Sequence, residues 1–239
     1  MTQDARPEIA ESSEPTGADS AAEMAAIQAQ KAEKKKHFSM LREFALADLI
    51  TLGNASCGTA SIFLALNYAV EPETPAYIWV AFALLPIALI LDFLDGYVAR
   101  WRKKKSMLGA DLDSLSDIVS FGVAPAVLAW ALGMRGGLDM AVLIFFVACG
   151  ISRLARYNAT AGLLTDHSSG KVKYYEGTPI PTSIFLVVVL MIAFTQGAVG
   201  QNFWFGQTRI LGMGFHPLSL MYLVSGCAMI SGTLRIPKP

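Results

Sequence analysis

Six apolar stretches of about 20 residues each limit what this chain can fold into. About 20 apolar residues are needed for a helix to cross the hydrocarbon layer of a bilayer. Of the 239 residues, 54% are apolar and only 16% are charged, which is less charge than a soluble domain of this length carries. We therefore predict an all-α integral membrane protein with six transmembrane helices. The predicted spans are 48–70, 76–99, 112–132, 138–158, 179–199 and 214–232.

The residues before the first span form two segments of different composition. Residues 1–30 carry scattered acidic side chains among Ala, Ser and Pro and contain no apolar run of the kind found in signal peptides, so we predict a disordered acidic tail. Residues 31–47 begin with lysines and continue with apolar residues at helical spacing. This juxtamembrane segment predicts an interfacial amphipathic helix, with a plain extension of the first span as the alternative. Residues 48–235 make up the six-helix domain.

Basic residues indicate the orientation in the membrane. They concentrate before span one, between spans two and three, around the gap between spans four and five, and after span six. The positive-inside rule then predicts that both termini and these loops are cytoplasmic. The formal net charge is zero, which offers no electrostatic basis for nucleic-acid binding.

The cysteines and histidines show no ligand pattern. Three cysteines lie far apart in apolar stretches, without a CxxC pair, so neither a zinc site nor a disulfide framework is predicted. The three histidines, at 37, 167 and 216, have no metal-ligand spacing, and we expect them to take no part in chemistry.

Four aspartates lie in or beside the second and third spans: Asp92, Asp95, Asp113 and Asp117. A carboxylate at the bilayer centre costs roughly 2.5–3.5 kcal/mol, so four of them indicate a function. Separations of three and four residues place each pair on one face of a helix. Two such faces turned toward each other form an oxygen-rich cage that suits a hard divalent cation.

Small residues and an arginine accompany these carboxylates. Gly96 and Ala99 continue the helical stripe of Asp92 and Asp95, and Gly109 leaves room where the third span begins. Arg100 adds a guanidinium fork suited to phosphate oxygens. Each glycine alone would be explained by helix packing, and Arg100 alone by membrane anchoring. Together with the aspartates they predict a metal–diphosphate site.

The residues from Asp92 to Arg100, followed by eight residues and then Gly109 to Asp117, match the pattern DxxDGxxAR–x8–GxxxDxxxD at every fixed position. This string resembles the signature of the CDP-alcohol phosphotransferase family. The resemblance implies a membrane enzyme with six transmembrane helices, usually a homodimer, that transfers a phosphatidyl or similar group from a CDP-linked donor to an alcohol and releases CMP. It also implies a requirement for Mg2+ or Mn2+, with two divalent ions in the site.

Four further stretches are similar to the branch of this family that uses serine as the acceptor: 47–62, 116–126, 151–158 and 176–182. The charged approach to the first span resembles the fungal members. The implied substrates are CDP-diacylglycerol and L-serine, and the implied location is the endoplasmic reticulum membrane, with the active site facing the cytoplasm.

The resemblance also implies a role for each site residue. Asp92, Asp95 and Asp113 would bind metal, and Asp117 would be the general base for the alcohol, a metal ligand, or both. Arg153, Arg156 and Tyr157 would bind serine, since two guanidinium groups on one helical face can hold a carboxylate. Without the resemblance, the two arginines would be explained as a positive-inside pair whose long side chains reach the membrane surface. Asn54 would contact the nucleotide or bond across helices. The residues implied to border the CDP-diacylglycerol group are Asp92, Gly96, Ala99, Arg100, Gly109 and Asn54.

Two alternatives stay open at this stage. Another acceptor alcohol, inositol or glycerol 3-phosphate, would keep the same chemistry, although the stretches at 151–158 and 176–182 fit serine better. A polytopic cation transporter would use the aspartates as an ion pathway, but it leaves Gly96, Ala99, Arg100 and Gly109 unexplained. The lack of an evident internal repeat weakly disfavours a transporter.

Overall fold

The structure is a computed structural model that describes residues 46–101, 107–164, 174–210, 212–231 and 235–237. The predicted tail at 1–30, nearly all of the juxtamembrane segment at 31–47 and the residues at 102–106, four of which are basic, lie outside these ranges. So do His37 and His167.

The described chain is mostly helical. Its helices are α1 (Leu46–Val70), α2 (Ala76–Trp101), α3 (Met107–Asp117), a π-helix (Ile118–Val123), α4 (Ala124–Ala131), α5 (Gly137–Leu164), α6 (Ile184–Thr195) and α7 (Leu220–Ile230). Short 3-10 turns occupy Ile180–Ser183, Gly200–Asn202 and Pro217–Ser219. The third predicted span is therefore a run of three helical segments, from Met107 to Ala131.

Four helical runs are long and apolar enough to cross a membrane: Ala47–Val70, Ala76–Val98, Gly109–Ala131 and Gly137–Ala159. The last two predicted spans contain shorter apolar helices, Ile180–Thr195 and Pro217–Ile230. The prediction of six spans is thus confirmed for four of them. The fifth ends early because Gly197, with a φ of 70°, adopts the left-handed conformation that closes a helix.

Four three-residue strands modify the all-α prediction. β1 (Tyr174–Glu176) pairs antiparallel with β4 (Arg235–Pro237), and β2 (Thr208–Ile210) pairs antiparallel with β3 (Met213–Phe215). Pairs of three-residue strands are too short to produce a readable alternation of apolar and polar residues.

Close approach of helix backbones organises the bundle. The Ser61 hydroxyl of α1 donates to the Ala81 carbonyl of α2 at 3.0 Å. Gly58 of α1 faces the π-helix, where an added Cβ would lie 2.7 Å from Ser120 Cα. Small residues in a membrane bundle permit this kind of packing.

Two contacts define the relative directions of the later elements. A Cβ on Gly150 of α5 would lie 2.8 Å from Ile180 Cδ1 and 3.1 Å from Ile118 Cδ1, so these two isoleucines fill the space that the glycine leaves. At the other end, the Gly200 amide donates to the Leu132 carbonyl at 2.8 Å. The run from α3 to α4 and the run from Ile180 through α6 therefore point the same way, and α5 runs antiparallel to both.

His216 joins two elements of the bundle through Asp139. Its Nδ1 atom lies 2.6 Å from Asp139 Oδ2, and its backbone amide donates to Asp139 Oδ1 at 2.8 Å. Both side chains are buried. This pair fastens the residues before α7 to the first turn of α5, at the end of the bundle opposite Asp92 and Asp95.

Candidate metal and substrate site

Three of the four predicted aspartates come together in space. Asp92 and Asp95 project from α2 and Asp113 projects from α3, and one carboxylate oxygen from each lies within 4.8 Å of the other two. Asp95 is buried, while Asp92 and Asp113 are half-buried. Hard oxygen donors at this spacing fit Mg2+ or Mn2+. The residues present therefore suit a divalent cation.

Asp117 borders this group without belonging to it. It lies one helical turn beyond Asp113, is 9% exposed, and has its carboxyl group within hydrogen-bonding reach of Asp92. Its Oδ1 atom is buried and has no hydrogen-bond partner in the described part of the chain. This oxygen is thus positioned beside the three-carboxylate group and open to an incoming hydrogen-bond donor.

Thr51 is a site residue that sequence reasoning missed. Its hydroxyl lies 2.6 Å from Asp95 Oδ2 and 3.1 Å from the Ala47 carbonyl, and both residues of the Thr51–Asp95 pair are buried. The single hydroxyl proton favours the carboxylate, which is the stronger acceptor. The available signal was the spacing of Asp48, Thr51 and Asn54, which places three polar residues near one face of an apolar helix.

Two serines on either side of Asp117 attach this region to α1. Ser116 donates to the Thr51 carbonyl at 2.9 Å, and Ser120 donates to the Asn54 carbonyl at 3.0 Å. Both serines are buried. The position of Asp117 relative to Asp95 is therefore determined through α1 as well as through α2 and α3.

Asn54 is fully buried, and neither atom of its side-chain amide has a hydrogen-bond partner among the residues described. Of the two predicted roles, a side-chain bond to another helix is thus not seen within these residues. Buried amides are normally paired, so this one calls for a ligand or water.

The other residues of the predicted diphosphate site lie at the end of α2 and the start of α3. A Cβ on Gly96 would meet no described atom within 4 Å, so none of the described residues fills the space beside this glycine, which directly follows Asp95. Gly109 lies in the first turn of α3 and is half-buried. Ala99 and Arg100 are in the last turn of α2, and their side chains lie outside what the structure describes. Asp111, which lies off the stripe, is exposed.

The predicted acceptor residues lie on the second half of α5. Arg153 is half-buried, whereas Arg156 and Tyr157 are exposed. The neighbouring Asn158 donates through Nδ2 to the Ser114 hydroxyl at 3.0 Å. Since Ser114 lies between Asp113 and Asp117, this bond holds the arginine-bearing end of α5 against the aspartate-bearing helix.

Comparison with known proteins shows the family of the chain. Residues 44–224 match the family described as CDP-alcohol phosphatidyltransferase. The chain is 44% identical to the CDP-diacylglycerol–serine O-phosphatidyltransferase of Saccharomyces cerevisiae over 207 residues, which cover 85% of this chain and 74% of the yeast protein. It is 34% identical to the enzyme of the same name from Helicobacter pylori over 180 residues, covering 74% and 68% of the two chains.

A third relative is archaeal. The archaetidylserine synthase of Methanothermobacter thermautotrophicus is 35% identical over 142 residues, which cover 58% of this chain and 54% of that protein. The names of all three relatives specify a serine-containing product or a serine acceptor. A family of transferases favours the enzymatic interpretation over a cation transporter.

Proposed function

Because the chain belongs to the CDP-alcohol phosphatidyltransferase family, we propose that it transfers the phosphatidyl group of CDP-diacylglycerol to the hydroxyl of L-serine and releases CMP. The observation that carries this proposal is the group of Asp92, Asp95 and Asp113 with Asp117 beside it. The serine assignment is supported by the relatives, whose names specify this acceptor.

Asp92, Asp95 and Asp113 would hold the divalent metal, which we propose to be Mg2+ or Mn2+ in a two-ion site. A bound divalent ion would neutralise charge on the diphosphate and on the leaving CMP. The open space beside Gly96 would admit the diphosphate. Gly109, Ala99, Arg100 and Asn54 would border the rest of the CDP group.

Asp117 would act on the acceptor. The serine hydroxyl oxygen forms a bond to the phosphorus that carries diacylglycerol, the bond from that phosphorus to the CMP oxygen breaks, and the hydroxyl proton passes to Asp117. The buried Oδ1 atom of Asp117, which has no partner within the described residues, is suited to receive this proton. Arg153 and Arg156, with Tyr157, would hold the serine carboxylate.

The lipid donor explains why the site lies in a membrane protein. The aspartates lie on two of the four helical runs that are long and apolar enough to span a bilayer, so the acyl chains could remain in the hydrocarbon layer while the CDP group enters the polar site. The soluble acceptor then reaches the same site from water.

The experiment that tests this function measures CMP release from CDP-diacylglycerol by the purified protein. We expect release that depends on serine and on added Mg2+ or Mn2+, and no release with inositol or glycerol 3-phosphate. If CMP were released with inositol or glycerol 3-phosphate and not with serine, the reaction type would stand and the assignment of serine as the acceptor would be wrong.

We further propose a homodimer in the endoplasmic reticulum membrane, with both termini and the active site facing the cytoplasm. The distribution of basic residues supports this orientation. Glycosylation acceptor tags inserted at 71–75 should be modified in microsomes, and tags at the termini should not.

Cross-linking of two differently tagged copies of the protein tests the proposed homodimer.

A further inference from the structure

The segment 177–183 packs where α5 meets the π-helix that follows Asp117. Ile180 in this segment and Ile118 in the π-helix both fill the space left by Gly150 of α5. Three elements therefore meet at this point: the π-helix, α5 and the 3-10 turn Ile180–Ser183.

Three polar residues lie on the same side of this junction. Asp117 directly precedes Ile118, Arg153 follows Gly150 by three residues, and Thr178 precedes Ile180 by two residues. A helix rises 1.5 Å per residue, so Arg153 is about 4.5 Å further along α5 than Gly150. Because α5 runs antiparallel to the other two elements, all three displacements point toward the end of the bundle that holds Asp92 and Asp95.

The backbone around Thr178 is held firmly. Its amide donates to the Ala228 carbonyl of α7 at 3.3 Å. The preceding Gly177 has a φ of 75°, and a Cβ there would collide with the Met229 carbonyl. The backbone at Thr178 is thus positioned against α7.

The hydroxyl of Thr178 has no hydrogen-bond partner among the residues that the structure describes, and its Oγ1 atom is buried. Thr182, in the same segment, donates its hydroxyl to the Pro179 carbonyl at 2.7 Å. A buried hydroxyl without a partner is costly, and a ligand that supplies one removes that cost.

We infer that Thr178 is a further acceptor-binding residue, whose hydroxyl oxygen receives the ammonium group of an amino-acid alcohol. This inference rests on the proposed function. Serine presents three polar groups: a hydroxyl, a carboxylate and an ammonium. Asp117 and the two arginines account for the hydroxyl and the carboxylate, and the ammonium, which only donates hydrogen bonds, needs an acceptor oxygen on the remaining side.

The test compares the purified full-length wild type with Thr178→Val, Thr178→Ser and Thr182→Val. Valine has the shape of threonine without the hydroxyl, and serine retains the hydroxyl. We expect Thr178→Val to raise the KM for serine about tenfold, and Thr178→Ser and Thr182→Val to change it by less than about twofold. The KM for CDP-diacylglycerol and the Mn2+ dependence should stay the same in all three variants.

A second ligand identifies the group that Thr178 contacts. 3-Hydroxypropionate has the hydroxyl and carboxylate of serine and no ammonium, so its inhibition constant against serine should be equal in wild type and Thr178→Val. An unchanged KM for serine, or equal weakening of serine, 3-hydroxypropionate and CDP-diacylglycerol, would overturn the inference. Absence of serine-dependent CMP release in the wild type would instead overturn the proposed function.

Discussion

Asp95 shows how a carboxylate is maintained within the membrane domain. It is buried, lies within 4.8 Å of two other carboxylates, and receives the Thr51 hydroxyl at 2.6 Å. A residue that hydrogen-bonds a metal-binding carboxylate orients it, and loss of such a residue typically weakens metal binding 10- to 100-fold. Thr51 is thus a positioning residue for the proposed metal site.

Replacing Thr51 by valine should weaken Mn2+ binding about tenfold, because Asp95 then loses the bond that orients its carboxylate. Thr51→Ser retains the hydroxyl and should bind Mn2+ as the wild type does. Titration of the purified protein with Mn2+, followed by electron paramagnetic resonance of the free ion, measures this without substrate. Equal Mn2+ affinity in wild type and Thr51→Val would show that Thr51 does not position Asp95 for metal binding.

Asp117→Asn should abolish transfer and leave metal-dependent binding of CDP-diacylglycerol largely intact. The reason is that Asp117 lies outside the three-carboxylate group, and an amide cannot accept the hydroxyl proton. CMP release and CDP-diacylglycerol binding are measured on the same preparation. If both fell by the same factor, Asp117 would be a metal ligand instead of a base.

The π-helix Ile118–Val123 is the element that joins the aspartate helix to the remainder of the bundle. The Ala124 amide donates to the Val119 carbonyl, five residues back, and Pro125 has no amide proton to continue a regular α-helical pattern. Such π-helical turns are frequent at functional sites. Here the turn directly follows Asp117 and packs on α1 through Gly58.

Gly58→Ala should therefore lower both stability and transfer. The added methyl group would collide with the Ser120 backbone, and overpacking of this kind costs about 1–3 kcal/mol. Gly53→Ala is the matched control, since a Cβ there would meet only Leu91 Cδ1 at 3.5 Å, an ordinary contact. Thermal unfolding in detergent and CMP release are the measurements. A stable, active Gly58→Ala would show that α1 does not determine the position of Asp117.

At the scale of the whole molecule, a bound divalent ion would connect α2 to α3 by ligands from both helices. Without an ion, three carboxylates within 4.8 Å of one another repel. Metal binding and folding are then coupled, because an ion that binds only the folded protein raises its stability.

Mn2+ should consequently raise the melting temperature of the wild type, and Asp113→Asn should remove that rise. In EDTA, Asp113→Asn should melt at a higher temperature than the wild type, since it has one carboxylate fewer in the group. Asp111→Asn is the control, as Asp111 is exposed two residues away. A melting temperature that does not respond to Mn2+ in the wild type would argue against a metal at this place.

The sequence predictions agree best with the structure where they depended on residues that lie close together in the sequence. The spans up to residue 158 and the placement of Asp92 and Asp95 on one face of a helix follow from apolar length and helical spacing. Thr51, Ser116, Ser120 and Asn158 could not be assigned in the same way, because each acts through a partner more than 40 residues away in the chain. The early end of α6 was not predicted either, since Gly197 ends a helix only when its backbone adopts the left-handed conformation.

The sequence alone determined that this is a helical membrane protein with carboxylates suited to a divalent ion, because hydropathy and helical spacing act over a few turns of one helix. The transferase activity was implied by the resemblance of its aspartate motif to a known family. Only the tertiary structure decided which carboxylates form one group, that Thr51 orients Asp95, and that Asp117 and Thr178 have polar atoms without partners in the described residues. These properties are distances between elements, and packing of the whole bundle sets them.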